Sequence, residues 1–165
     1  MPLAIGDEAP NFDLSSTENA VLMLRDEVAR TPVAVYFFAD PLDERARRDL
    51  DALNRHRDRL IRLRTRILAV SPARLAFLKR LQAERKLLFP LLHDDRDFSA
   101  SYGVTPPEPA LVVVGRGQRV LWLANPVAAV AEALAEVEKV LKEQPSPAKS
   151  YPKSVINRLI DRLVS

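Results

Sequence analysis

Almost unbroken apolar runs alternate along this chain with segments whose apolar residues recur at helical spacing. The three strongest runs are residues 33–38, 66–70 and 110–114, which are rich in β-branched and aromatic residues. Runs of this kind are typical of strands that are covered on both faces. Between and after them, leucine, valine and alanine return at intervals of three and four residues. The alternation predicts an α/β fold built in layers.

Proline and serine mark the predicted starts of the helices. We expect the first long helix to begin at Asp40 or Pro41, with Asp43 or Glu44 stabilising its first turn. Ser71-Pro72 predicts the start of the next helix, and Asn125-Pro126 that of the last clear one. Residues 115–117 carry two glycines and predict an antiparallel hairpin between residues 110–114 and 119–123.

An acidic turn follows the apolar residues Phe89-Pro90-Leu91-Leu92. His93, Asp94, Asp95 and Asp97 could form a weak oxygen-rich cation site. An exposed turn before a short helix, with Asp95 or Asp97 near its cap, explains the same residues. We therefore expect no metal and no cofactor.

The chain divides into one domain and a tail. Residues 1–143 are expected to form the domain, residues 144–152 a linker rich in proline and serine, and residues 153–165 an amphipathic helix. A helix of this length is marginal alone, so its apolar face must be buried on its own domain, on a second copy, or on another protein or an anionic lipid surface. The partner-binding candidates on that face are Val155, Ile156, Leu159, Ile160 and Leu163.

Composition argues against two classes of partner. No apolar run approaches the roughly 18 residues that a bilayer crossing needs, and no signal pattern opens the chain, so a cytoplasmic location is expected. Arginines are frequent between residues 45 and 66, but acidic residues lie just before and among them and aromatic residues are absent; the acidic residues are Asp43, Glu44, Asp49, Asp51 and Asp58. This pattern favours a solvated helix face with ion pairs over a nucleic-acid interface.

Several ordered segments together resemble the peroxiredoxins, the AhpC/TSA or redoxin family. They are the opening residues 6–14 (GDEAPNFDL), Tyr36-Phe37-Phe38, residues 89–94 (FPLLHD) and Tyr102-Gly103-Val104. The resemblance covers about residues 3–142. It implies a thioredoxin-like fold of the peroxiredoxin variant, a three-layer sandwich with a mixed central sheet, to which this chain adds the C-terminal amphipathic helix.

The sequence departs from this family where the family's chemistry lies, because it contains no cysteine. The family follows its first core strand with a Pro-x-x-x-Thr-x-x-Cys pattern, and alignment without gaps after Phe38 places Ala39, Asp43 and Ala46 at those three positions. The family's later active-site arginine corresponds to Glu108. A peroxidase of this family needs a thiolate that is oxidised and recycled, which alanine cannot replace.

The resemblance also implies which residues form the former active-site groove and which proline follows a cis bond. The former active-site groove would contain Phe38, Ala39, Asp43, Ala46, Glu108 and Pro109. Thioredoxins carry a cis-proline before the strand that leads into their hairpin, and the same spacing predicts a cis bond between Glu108 and Pro109. The alternative is a trans proline in a proline-rich loop.

These observations predict a thioredoxin-fold protein without thiol peroxidase activity that acts as a binding or structural protein. A homodimer or an unknown protein partner would fit this role. The alternative is an oxidoreductase or hydrolase that uses carboxylates in the former groove. A third possibility is an assembly subunit that pairs with a cysteine-bearing homologue.

Overall fold

A seven-stranded sheet runs through the residues that the computed structural model describes, which are 3–105 and 107–144. The strand order is β2-β1-β5-β4-β3-β6-β7, in which β3 is parallel to β4 and β4 to β5, while the other neighbours are antiparallel. The sheet is therefore mixed, as expected. The strands are β1 (Asp13–Ser16), β2 (Val21–Met23), β3 (Val33–Phe37), β4 (Arg66–Ser71), β5 (Leu91–His93), β6 (Ala110–Val114) and β7 (Val120–Ala124).

Helices cover both faces of this sheet. One core lies under α2, α3 and α5, and the second lies under α1, α4 and the segment before β1. This arrangement confirms the three-layer sandwich. The helices are α1 (Leu24–Val28), α2 (Glu44–Arg62), α3 (Leu75–Arg85), α4 (Phe98–Ser101) and α5 (Val130–Lys142).

The central position of β3 explains its unbroken apolar sequence. Successive side chains of a strand point to opposite faces, so a strand covered on both sides needs apolar residues at every position. Ala34 and Tyr36 enter the core under α2, whereas Val33, Val35 and Phe37 enter the other core. All five residues of β3 are buried.

The predicted starts of α2 and α3 were several residues too early. Asp40 holds a turn before α2, because its carboxylate accepts a hydrogen bond from the amide of Leu42 at 2.8 Å, and α2 begins only at Glu44. Ser71 is the last residue of β4, and α3 begins at Leu75. The Ser71 hydroxyl accepts from the amide of Ala73 and so stabilises a turn instead of a helix start.

The start of α5 and the predicted cis bond also need correction. The amide of Val127 donates to the carbonyl of Pro109 at 2.9 Å, which holds this part of the chain outside the helix, and α5 begins at Val130. The bond before Pro109 is trans, and the cis bond among the described residues is that before Pro126. Pro109 is instead held in place by the hydrogen bond that its carbonyl accepts from Val127, one residue before β6 begins at Ala110.

Two predicted segments lie outside the described residues, namely the linker from residue 145 onward and the C-terminal helix at 153–165. Among the residues that are described, no helix is long and apolar enough to cross a membrane.

Candidate functional site

The first turn of α2 holds the position at which the sequence analysis placed the missing cysteine. Ala46 is the third residue of α2, and its side chain is buried. Its amide donates to the carboxylate of Asp43, the N-cap residue, at 3.2 Å. The prediction that Asp43 stabilises this first turn is thus confirmed, because an aspartate at this position satisfies an amide that the helix leaves unpaired.

Glu108 faces this helix start from the loop before β6. Its carboxylate lies 4.0 Å from the guanidinium of Arg45, and both side chains are about half exposed. Arg45 also donates to the carbonyls of Val127 and Ala128, at 2.5 and 3.1 Å. A positive side chain on the helix and a negative one on the loop therefore meet across the site. Arg45 was missed in the sequence analysis, although a carboxylate at position 108 was a signal to search the facing helix for a cation.

Three of the predicted groove residues line only a very small cavity. A cavity of about 10 Å³ remains beside Phe38, Ala39 and Glu108, which is at the lower limit for a single water molecule. Pro109 is buried, and Asp43 lies exposed at the helix start. The structure thus brings Phe38, Ala39 and Glu108 together around a space that is too small for an organic ligand.

A buried polar network lies next to this site and joins β3, α2 and α5. The hydroxyl of Tyr36 donates to the Asp49 carboxylate at 2.7 Å, and the same carboxylate accepts from the amide of Val130 at 3.2 Å. Burial raises the pKa of Tyr36 far above its ordinary value, and the negative charge of Asp49 raises it further. The phenol therefore stays protonated and acts as a hydrogen-bond donor.

The position of Asp49 shows that the expectation of a solvated helix face with ion pairs does not hold for every charged residue of α2. Its side chain is 3% exposed, and it satisfies an amide in the first turn of α5. The sequence contained no local sign of this role, since Asp49 lies between arginines in a charged stretch and its partners are 13 and 81 residues away.

The acidic turn after β5 is explained by capping. The carboxylate of Asp94 accepts from the amides of Phe98 and Ser99, at 2.8 and 3.0 Å. Asp97 occupies the N-cap position of α4, as expected, but the carboxylate that accepts from the helix amides is that of Asp94. Within the two described ranges, no three histidine or acidic side chains are grouped so that they could hold a metal ion.

The large recess of this region lies on the other side of the α2 start, and we call it the α2–α3 groove. It has a volume of about 350 Å³. Two large apolar side chains at this groove are strongly exposed, with relative accessibilities of 74% for Leu42 and 49% for Phe77. The lining residues are Asp40, Pro41, Leu42, Arg47, Ala73, Phe77, Arg80, Leu81 and Glu84.

Comparison with known proteins agrees with the architecture. The AhpC/TSA family model matches residues 5–123. Comparison with curated proteins gives no match.

Many solved structures share the fold, among them the following three. Peroxidoxin BcpB from Mycobacterium tuberculosis is 16% identical, with a TM-score of 0.80 over 87% of this chain and 99% of that one. A cysteine-to-serine variant of PrxQ from Xylella fastidiosa is 18% identical, with a TM-score of 0.77 over 86% and 97%. Peroxiredoxin Q from Xanthomonas campestris is 18% identical, with a TM-score of 0.74 over 85% and 95%.

Proposed function

The chain belongs to the AhpC/TSA family, and we propose that it is a member without thiol peroxidase activity that acts as a binding or structural protein. The observation that carries this proposal is the methyl group of Ala46 at the helix position where the resemblance places the attacking cysteine. The sequence contains no cysteine that could take over this role. Peroxide reduction in this family requires a thiolate that forms and releases a sulfenic acid.

The charges around position 46 support the same proposal. A cation opposite the helix start would lower the pKa of a thiol there and favour its reactive anion. Glu108 instead places a carboxylate on that side, and Arg45 on the helix lies near it. The cation that the family has on this side of the site is thus replaced by a carboxylate.

The two carboxylates of the former groove are both engaged in contacts within the domain. Asp43 accepts the amide of Ala46, and Glu108 lies beside Arg45. The cavity that Phe38, Ala39 and Glu108 line, at about 10 Å³, is too small for a substrate. These contacts favour a binding or structural role over an enzyme that uses carboxylates, and they direct the search for a binding surface away from the former active site.

A peroxide consumption assay tests the absence of activity. Purified protein is mixed with hydrogen peroxide or an organic hydroperoxide and with dithiothreitol or thioredoxin as reductant. We expect the same rate as without protein, and turnover above this rate would refute the proposal.

A matched set of variants shows whether the site chemistry is responsible. Ala46→Cys alone introduces the thiol, and the combination with Ala39→Pro, Asp43→Thr and Glu108→Arg also restores the other family positions. We expect the combined variant to exceed Ala46→Cys in peroxide consumption. Ala76→Cys, at an exposed position of α3, is the control for an ordinary surface thiol. Equal rates for all three variants would contradict the role assigned to the charges.

A further inference from the structure

The α2–α3 groove exposes apolar surface to which a partner segment could bind. Leu42 and Phe77 are among the most exposed large apolar residues of the described chain, and both lie at this one recess. Pro41, Ala73 and Leu81 extend the apolar lining between them. A recess of about 350 Å³ with such a lining is within the size range of ligand and docking sites.

The chain itself contains a segment of matching character. Residues 153–164 carry five apolar residues that a helix would gather on one face, namely Val155, Ile156, Leu159, Ile160 and Leu163. Such a helix is marginal in isolation, so it requires an apolar surface against which to fold. We propose that residues 153–164 dock as an amphipathic helix in the α2–α3 groove of their own chain.

The length of chain between the domain and this segment is sufficient. Val130, at the start of α5, contacts Asp49, and Glu138 lies 3.9 Å from Arg59, so α5 runs beside α2 in the same direction. To reach the groove, the chain must return along α2 from Arg62 to Arg47, roughly 22 Å at 1.5 Å per residue, and cross α2, a sideways step of about 10 Å, which together make a direct distance of about 24 Å. Residues 145–152 can span up to about 28 Å when extended.

Charge is compatible with this docking. On a helical projection, Lys153 and Arg162 flank the apolar face on its two sides, while Asp161 lies opposite it. The groove offers two carboxylates, those of Asp40 and Glu84. The flanking cations can therefore approach these carboxylates when the apolar face is buried.

The guanidinium groups of the groove already have contacts within the domain. Arg47 donates to the carbonyl of Pro41 at 2.8 Å and lies 3.8 Å from Glu84. Arg80 lies over the ring of Phe77, at 5.9 Å from its centroid. Both arginines of the groove are thus already engaged within the domain.

Tethering favours this occupant over the same segment of a second copy. A short linker gives an attached segment an effective concentration in the millimolar range, far above that of a free protein in dilute solution. The inference is independent of the proposed function, because it concerns a surface and a segment that take no part in peroxide chemistry.

The absence of native cysteine makes disulfide trapping in the full-length protein an unambiguous test. Ala73→Cys in the groove is paired in turn with Val155→Cys, Leu159→Cys and Leu163→Cys, and each pair is oxidised at micromolar protein concentration. We expect at least one pair to form an intramolecular disulfide, detected by mass and by monomer mobility on a non-reducing gel, at least tenfold faster than its control. The control pairs the same tail cysteine with Asp26→Cys, an exposed position of α1 on the opposite face of the sheet.

Each other outcome overturns the inference. Covalent dimers as the main product would assign the segment to a second copy, and rates equal to those of the Asp26→Cys control would show that the segment does not occupy the groove. Leu159→Asp in the Ala73→Cys/Leu163→Cys protein should slow trapping at least fivefold, whereas Asn157→Asp, on the polar side, should leave it unchanged. Equal trapping in these two variants would also refute docking through the apolar face. Circular dichroism of each variant confirms that the domain is folded.

Discussion

The hydrogen bond between Tyr36 and Asp49 gives the sharpest prediction for stability. Tyr36→Phe removes one of two donors to a carboxylate that is 3% exposed, while the ring stays available to stack on Phe38, with centroids now 5.8 Å apart. A hydrogen bond to a charged group contributes about 1.5–3 kcal/mol, and a bond between neutral groups about 0.5–1.5 kcal/mol. We therefore expect Tyr36→Phe to lower the free energy of unfolding by about 2 kcal/mol.

Tyr102→Phe is the matched control. Both tyrosines are fully buried and each donates one hydrogen bond, but Tyr102 donates to the neutral carbonyl of Pro10, at 2.5 Å. The loss for Tyr102→Phe should be about 1 kcal/mol. Urea unfolding at pH 7, followed by circular dichroism, measures both losses, and the denaturant dependence should remain unchanged. A loss for Tyr36→Phe no larger than that for Tyr102→Phe would refute the role assigned to the charged acceptor.

A double-mutant cycle with Asp49→Asn isolates the charge. The amide can still accept from Val130 and donate to the Tyr36 oxygen, so both contacts persist without a negative charge. Tyr36→Phe should then cost about 1 kcal/mol less in the Asp49→Asn background than in the natural protein. An equal cost in the two backgrounds would contradict this reasoning.

Three further predictions concern Asp43, Gly115 and the two buried tyrosines. Asp43→Ala should lower the free energy of unfolding by about 1 kcal/mol, because the amide of Ala46 loses its acceptor, while Asp43→Ser should retain most of the stability; thermal unfolding measures both. Gly115→Ala should lower the free energy of unfolding by about 1 kcal/mol, since an added Cβ would lie 2.5 Å from Leu121 Cδ1. An unchanged free energy of unfolding would show that the Leu121 side chain moves aside freely. Burial raises the pKa of both buried tyrosines, so the folded state keeps protons that the unfolded chain loses near pH 10. Their stabilisation is complete below about pH 10 and is lost as the pH rises further, by up to about 1.4 kcal/mol per pH unit for each tyrosine. Denaturant unfolding between pH 9 and pH 11 checks this loss, which should be smaller in the Tyr36→Phe/Tyr102→Phe protein.

The sequence by itself determined the layers of this protein. A strand that is buried on both sides needs apolar residues throughout, so β3 and β6 were visible as unbroken runs, and their hairpin partner followed from the glycines at 115 and 117. The missing cysteine and the cap at Asp43 were equally local, since each depends on the identity of a residue within one short stretch. These features are encoded over a few neighbouring residues, and periodicity or residue type is enough to detect them.

Only the tertiary structure decided how polar groups and surfaces meet. The starts of α2, α3 and α5 depend on hydrogen bonds that stop the first residues from entering the helix, among them the contact of Val127 with Pro109. The burial of Asp49, the approach of Arg45 to Glu108 and the open α2–α3 groove all join residues from separate elements. A charged side chain looks the same in the sequence whether it faces water or a buried donor, because its partner is chosen by the packing of distant segments.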